Sequence, residues 1–209
     1  MLNNYKGISI IAESKYILTE GLNSLIAKEL RIIVGGYEEK NYIDIIKYLI
    51  DYIVSNSTEI ASDQTIAYYS WLLQFKSEEH AYYDIYEAIK NGKGFIKGGE
   101  TAITVIRSQS EICSEYSEVT IFPNFSQNIV ISKGVYEGKN IEGIRYESPG
   151  HMCGWWLITD DYDDNVDSLM NVHYFDVAFK RPDILKYLAL PFGYRFLMDK
   201  GQVIISKDE

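Results

Sequence analysis

The densest set of chemistry-bearing side chains is the run Asp160-Asp161-Tyr162-Asp163-Asp164-Asn165-Val166-Asp167. Asp161, Asp163, Asn165 and Asp167 follow the odd-position spacing from which a calcium loop draws its oxygen ligands. Such a loop also needs a glycine hinge and a terminal bidentate glutamate, and those places hold Val166 and Val172. The run therefore reads first as a solvated acidic turn after a buried strand. The functional alternative without metal is an acidic surface facing a basic partner. No Lys or Arg occurs between Gly150 and Phe179, and uncompensated like charge destabilises a fold, which favours a use for it. His151 and His173 flank the run, and with Asp160, Asp161 and Asp163 they would make an oxygen–nitrogen ligand set for a metal-dependent hydrolase. No two strong ligands share one element, however, so these histidines and His80 read as structural or surface residues. Ser148 and Cys153 lie near His151 but outside any strand–elbow–helix context. Gly35-Gly36 and Gly98-Gly99 lack the patterns of a phosphate loop. No catalytic residue, metal or cofactor is expected. Trp155-Trp156 is the remaining signal: neighbours in a strand point to opposite faces, so one ring belongs to the core and the other faces outward. An outward Trp beside an acidic loop has the composition of an interface hot spot. The candidate contact residues are thus Trp155, Trp156, Asp160, Asp161, Asp163 and Asp164.

These residues sit in a chain of 209 residues with a formal net charge of −10, 46% hydrophobic and 24% charged residues, and eighteen tyrosines. That composition is globular, and the length is enough to bury about 70% of the unfolded surface without staples. An acidic protein repels phosphate backbones, which argues against direct nucleic-acid binding. The two cysteines, Cys113 and Cys153, are too few for a secreted disulfide framework and are expected as free buried thiols. Glu13, Lys15 and Glu20 interrupt the apolar residues before a signal-peptide core forms, and no apolar run is long enough to span a bilayer. A cytoplasmic protein without membrane contact is expected.

Positioning elements follow from periodicity. Gly7 to Ala12 and Lys28 to Val34 read as strands, the second ending at the Gly35-Gly36 turn. Ile43, Ile46, Leu49, Ile50 and Ile53 fall at helical spacing, which predicts a helix over Asn41 to Val54, started by Asn41 and ended at Ser55-Asn56-Ser57. Thr65 to Lys76 reads as one strand. Asn91-Gly92 implies a hairpin into Gly94-Phe95-Ile96, and Glu100 to Tyr116 returns to helical spacing. Short strands are expected at Asn128 to Lys133, Gly143 to Tyr146 and Cys153 to Thr159, with another at Val172 to Asp176. A short helix should open at Arg181-Pro182-Asp183, and a closing hairpin should turn at Asp199-Lys200-Gly201. The mixture without strict β-α-β alternation predicts an α+β fold with mainly antiparallel sheet and a few packed helices. A seam is expected near Ser148-Pro149-Gly150, giving an N-terminal portion over 1–147 and a C-terminal portion over 148–209, together one compact unit.

The stretch Ser148-Pro149-Gly150-His151-Met152-Cys153-Gly154-Trp155-Trp156, the aspartate run, His173, Arg181-Pro182-Asp183 and Leu188-Ala189-Leu190-Pro191-Phe192-Gly193-Tyr194-Arg195-Phe196 together resemble the immunity protein 33 domain. Ala67 to Phe75 and Gly134 to Gly138 resemble longer members of that group. The resemblance implies a non-enzymatic bacterial protein of a polymorphic toxin system that binds and neutralises a cognate toxin. An acidic inhibitor suits a basic nuclease cleft, which it would reach by steered association. The rivals are the metal-dependent hydrolase above and an adaptor with no toxin.

Overall fold

The structure, a computed structural model, describes residues 2–56 and 59–207. The described residues form four α-helices and fourteen strands in two sheets, so the α+β class holds. No helix among them is long and apolar enough to cross a membrane. The chain divides into two compact units, Met1–Thr104 and Val105–Glu209. The seam expected near Ser148 falls inside the second of these, between two strands hydrogen-bonded to each other.

The first unit contains β1 (Leu2–Tyr5), β2 (Ile8–Glu13), β3 (Tyr16–Glu20), α1 (Asn23–Ile26), β4 (Glu29–Ile33), α2 (Glu39–Asn56), β5 (Thr65–Tyr68), β6 (Trp71–Lys76), β7 (Tyr82–Ala88) and β8 (Phe95–Lys97), and α3 (Glu100–Glu115) begins in it. Its sheet runs β1-β2-β3-β4-β7-β6-β5, with β8 also on β7. Only the β4–β7 pair is parallel. The α2 helix buries Tyr42, Ile45, Ile46, Leu49, Ile50 and Ile53; four of these are the residues expected from the spacing, whereas Ile43 is only half-buried and Tyr42 and Ile45 take the buried side at that end. It starts two residues before Asn41, whose side-chain amide donates back to the Glu38 carbonyl and does not cap the helix. The expected end at Ser57 lies outside the described residues. Leu49 is fully buried, so Leu49→Ala should cost roughly 2–5 kcal/mol in chemical denaturation, combining lost transfer energy with the cavity left behind. A loss below about 0.5 kcal/mol, the size of an ordinary surface change, would show that this face carries little of the core.

Thr65 to Lys76 is a hairpin, where one strand was expected. Tyr69 and Ser70 make the turn, and Tyr69 takes φ +50° without the Asn or Gly that normally announces such a turn. The α3 helix begins where the Glu87 carboxylate accepts from the Thr101 and Ala102 amides at 2.9 and 2.7 Å, satisfying two of the donors a helix start leaves orphaned.

The second unit holds the rest of α3 with β9 (Asn128–Ile131), β10 (Ile141–Arg145), β11 (Met152–Ile158), β12 (Met170–His173), α4 (Tyr174–Lys180), β13 (Tyr194–Asp199) and β14 (Gln202–Lys207). Its sheet order is β12-β9-β11-β10-β13-β14, and β9–β11 is the parallel pair. The strand expected over Val172 to Asp176 ends at His173, and the chain continues as α4, burying Tyr174, Val177 and Ala178. Arg181-Pro182-Asp183 forms a turn, and the following helical piece is one 3-10 turn, Leu185–Tyr187.

The inner face of this sheet carries Ile141, Gly143 and Arg145 on β10, Trp155 and Leu157 on β11, and Tyr194 and Phe196 on β13, all buried. Gly143 is required there, because a Cβ would stand 2.3 Å from the Phe196 ring. At Gly154 a Cβ would meet the Tyr146 carbonyl at 2.3 Å, and φ is +87°, a conformation open to glycine and strained for other residues. Segment 184–190, buried apart from Lys186, closes this face. Arg145, 2% exposed, ties it down: its guanidinium donates to the carbonyls of Cys153, Ile121, Leu188 and Leu190 at 3.0, 2.8, 3.3 and 2.6 Å. The Trp155 indole N–H donates to the same Leu188 carbonyl at 2.7 Å.

Candidate functional site

The sheet register places the sequence candidates. Trp155 is fully buried and is withdrawn as a contact residue, since a side chain closed off from solvent cannot meet a partner. Trp156 points the other way and is half-buried, its ring edge-on to Tyr146 at 6.0 Å between centroids. Directly opposed residues in a sheet share a face, so the outer face follows from the pairing. Trp156 stands opposite Ile144, and Ile144 opposite Arg195. One row further, Ile158, Glu142, Leu197 and Ile204 line up across β11, β10, β13 and β14. Tyr146, Leu197 and Ile204 are 48%, 46% and 65% exposed. This open face has an aromatic and aliphatic centre. Most surface hydrophobes are scattered singly, and this contiguous set makes the face the candidate site.

At one end of the face lies a groove of about 330 Å³ lined by residues 140–142, 158–160 and 197–199. Its apolar lining includes Ile158 and Leu197, and its carboxylates are Glu142, Asp160 and Asp199. Asp199 accepts from the Asn140 amide at 2.6 Å, and Glu142 lies 3.8 Å from Arg195. Sequence reasoning missed Glu142, Asp199, Leu197, Ile204 and Tyr146. The alternation of β13, with Tyr194 and Phe196 inward and Arg195 and Leu197 outward, carries the signal that would have found them.

The aspartate run follows directly after β11. Asp160, Asp161, Asp163 and Asp164 are all exposed. The run does have a neutraliser in space, though none in sequence: the Lys139 ammonium contacts Asp161 at 2.5 Å. Asp163 accepts from the Ser168 hydroxyl at 2.7 Å and the Asn165 amide at 3.1 Å, and these bonds, the hydroxyl first, hold its carboxyl below the usual range. Asn165 in turn accepts from the Asp167 amide. These contacts build an acidic turn from its own backbone. Among the described residues no three His, Cys, Asp or Glu side chains gather into a metal-holding group, and the His173 ring stacks on Phe175 at 4.9 Å. The ligand set of the hydrolase alternative is not assembled. Cys113 and Cys153 are free and buried. Burial pushes the Cys153 thiol up to about 11, so it stays protonated and unreactive at neutral pH.

The first unit has a charged cluster that the sequence did not announce. Asp84, fully buried, takes a bidentate grip from Arg31 at 2.7 and 2.8 Å and a contact from Lys97 at 2.9 Å. Arg31 lies over the Tyr82 and Tyr16 rings and reaches Glu79, while Lys97 reaches Glu78. Every charge here is matched by its neighbours, as a structural network requires.

Residues 108–207 match the Imm33-like domain. The matched segment runs from the middle of α3 to the end of β14 and covers the whole six-stranded sheet. Comparison with curated proteins and with solved structures gave no match. The residues that carry the immunity-domain resemblance have structural work in the Imm33-like segment. Gly154 and Trp155 fit the crowded inner face. Leu188 and Leu190 offer the carbonyls that hold Arg145. Arg181 reaches the Val135 and Lys139 carbonyls and clasps Asp183 through two bonds. Those residues specify the sheet and the segment that closes its inner face.

Proposed function

We propose that this protein is an immunity protein that binds and neutralises a cognate bacterial toxin by occlusion, acting in the cytoplasm and without catalysis. The observation that carries this reading is the Imm33-like match over residues 108–207. Three features support it: the net charge of −10, the exposed Asp160, Asp161, Asp163 and Asp164, and the outward Trp156. A basic cleft of a phosphate-handling enzyme complements such a surface, so a nuclease is the proposed class of toxin. Co-expression with the toxin encoded in the neighbouring reading frame tests the function. Growth should be restored by the wild-type protein and lost again when its start codon is removed. A soluble, folded protein that leaves the toxin fully lethal at equal expression overturns the reading.

A further inference from the structure

The open outer face of the second sheet ends in a groove whose shape and charge specify more than general acidity. Ile158 and Leu197 line it beside the carboxylates of Glu142, Asp160 and Asp199, and Glu142 lies 3.8 Å from Arg195 on the same face. An apolar lining beside carboxylates matches one kind of protein side chain: a long aliphatic stem that ends in a cation. Lys and Arg bury their methylenes along apolar surface while the charged head seeks polar partners, and guanidinium pairs with carboxylates in a fixed fork geometry. The groove continues into the exposed Leu197–Ile204 pair and, one row away, into Ile144 and Trp156, so a partner seated in the groove also covers the apolar centre of the face. A second copy of this acidic chain is disfavoured as occupant, because it would bring like charges together.

We infer that this face docks a basic protein surface and that the groove receives one of its arginine or lysine side chains, Trp156 and Leu197 supplying the apolar contact around it. This deepens the immunity reading and rests on it for the identity of the partner as the toxin; the groove chemistry itself is testable without a toxin.

The probe is N-acetyl-arginine amide, titrated into the isotope-labelled full-length protein and followed by amide NMR shifts, with N-acetyl-citrulline amide as the neutral isostere. The arginine probe should shift the amides of Glu142, Ile158 and Leu197 with a dissociation constant of about 1 mM, the affinity of a single small contact. The citrulline probe should bind at least about tenfold more weakly, and so should the arginine probe to the Glu142→Gln/Asp160→Asn/Asp199→Asn variant, whose amide dispersion should match wild type. Equal binding of the two probes, or shifts confined to other parts of the chain, overturns the proposal. Sedimentation of the wild-type protein as a dimer that Ile204→Glu dissociates also overturns it, by assigning the face to a second copy. Growth rescue without a groove response sinks the groove alone; a groove response without rescue sinks the immunity reading alone.

Discussion

Arg145→Met should remove about 4 kcal/mol from the stability of the second unit. Arg145 is a buried cation whose hydrogen-bond partners are all carbonyl oxygens. Burial pushes its guanidinium down to about 10, still well above neutral pH, so the group remains charged in the folded protein. Replacing a buried ion pair with apolar residues is often harmless, because both partners can be removed together. Here the partners are backbone, and they cannot be removed. Methionine would fill much of the volume and take the Arg145 donor from the carbonyls of Cys153, Ile121 and Leu190, each orphan costing about 1–3 kcal/mol before relaxation, while the Leu188 carbonyl keeps the Trp155 indole N–H. It would also lose the stacking of the guanidinium over Phe192 at 4.8 Å, a contact of about 1 kcal/mol. Several of those carbonyls would recover water as the 184–190 segment loosens, which brings the expected total down to the stated figure. Arg145→Lys should restore little, since one ammonium cannot span four acceptors set around a planar fork. Urea unfolding followed by hydrogen exchange at the β10 and β11 amides measures the loss. A value below about 1 kcal/mol would mean that the segment is held by its apolar side chains alone.

The difference between what could and could not be read from the sequence lies in the range of the interactions. The α2 helix is legible because Ile46, Leu49, Ile50 and Ile53 declare its buried side through spacing alone. The closing hairpin is legible because Lys200-Gly201 supplies two positive-φ residues, at +48° and +82°, where a tight turn between strands needs them. The Tyr69-Ser70 turn is not legible: neither residue favours that conformation, and it is imposed by the pairing of β5 with β6. The position of α4 was missed for a similar reason, because an apolar run as short as Val172 to Asp176 fits a strand or a helix equally well. In the candidate site, alternation settled that one of Trp155 and Trp156 faces outward, and the buried bond to Leu188 decides which. Lys139 opposite Asp161 is separated by too much chain for a local scan of charge to find. The outer face itself is assembled from four strands whose order is not written in any one of them.

Trp156→Ala should raise the dissociation rate of the toxin complex by about 30-fold, equivalent to about 2 kcal/mol, whereas neutralising the acidic run should act on association. The separation follows from where the groups stand. Trp156 is half-buried among Tyr146, Ile144 and the β11 backbone, a position in which a large ring is already partly ordered and loses little entropy on being covered. Its contribution is realised only in the close contact of the final complex, so its loss appears in the rate of leaving. The carboxylates at Asp160, Asp161, Asp163 and Asp164 are exposed and act across a Debye length of about 10 Å at 0.1 M salt, before contact is made. Changing all four to Asn should slow association and flatten its salt dependence while leaving dissociation nearly unchanged. Asn at position 163 still accepts from Ser168 and Asn165, so the turn survives the change. Asp161→Asn alone should slow association about as much as any other of the four, because it turns the neutral Lys139–Asp161 pair into a free ammonium, the same change of one charge. Binding kinetics with the cognate toxin at several salt concentrations separate the two effects, with urea denaturation of each variant as the folding control. If Trp156→Ala slows association and leaves the dissociation rate alone, the anchor is elsewhere on the face, and Leu197 and Ile204, more exposed than the tryptophan, become the residues to truncate.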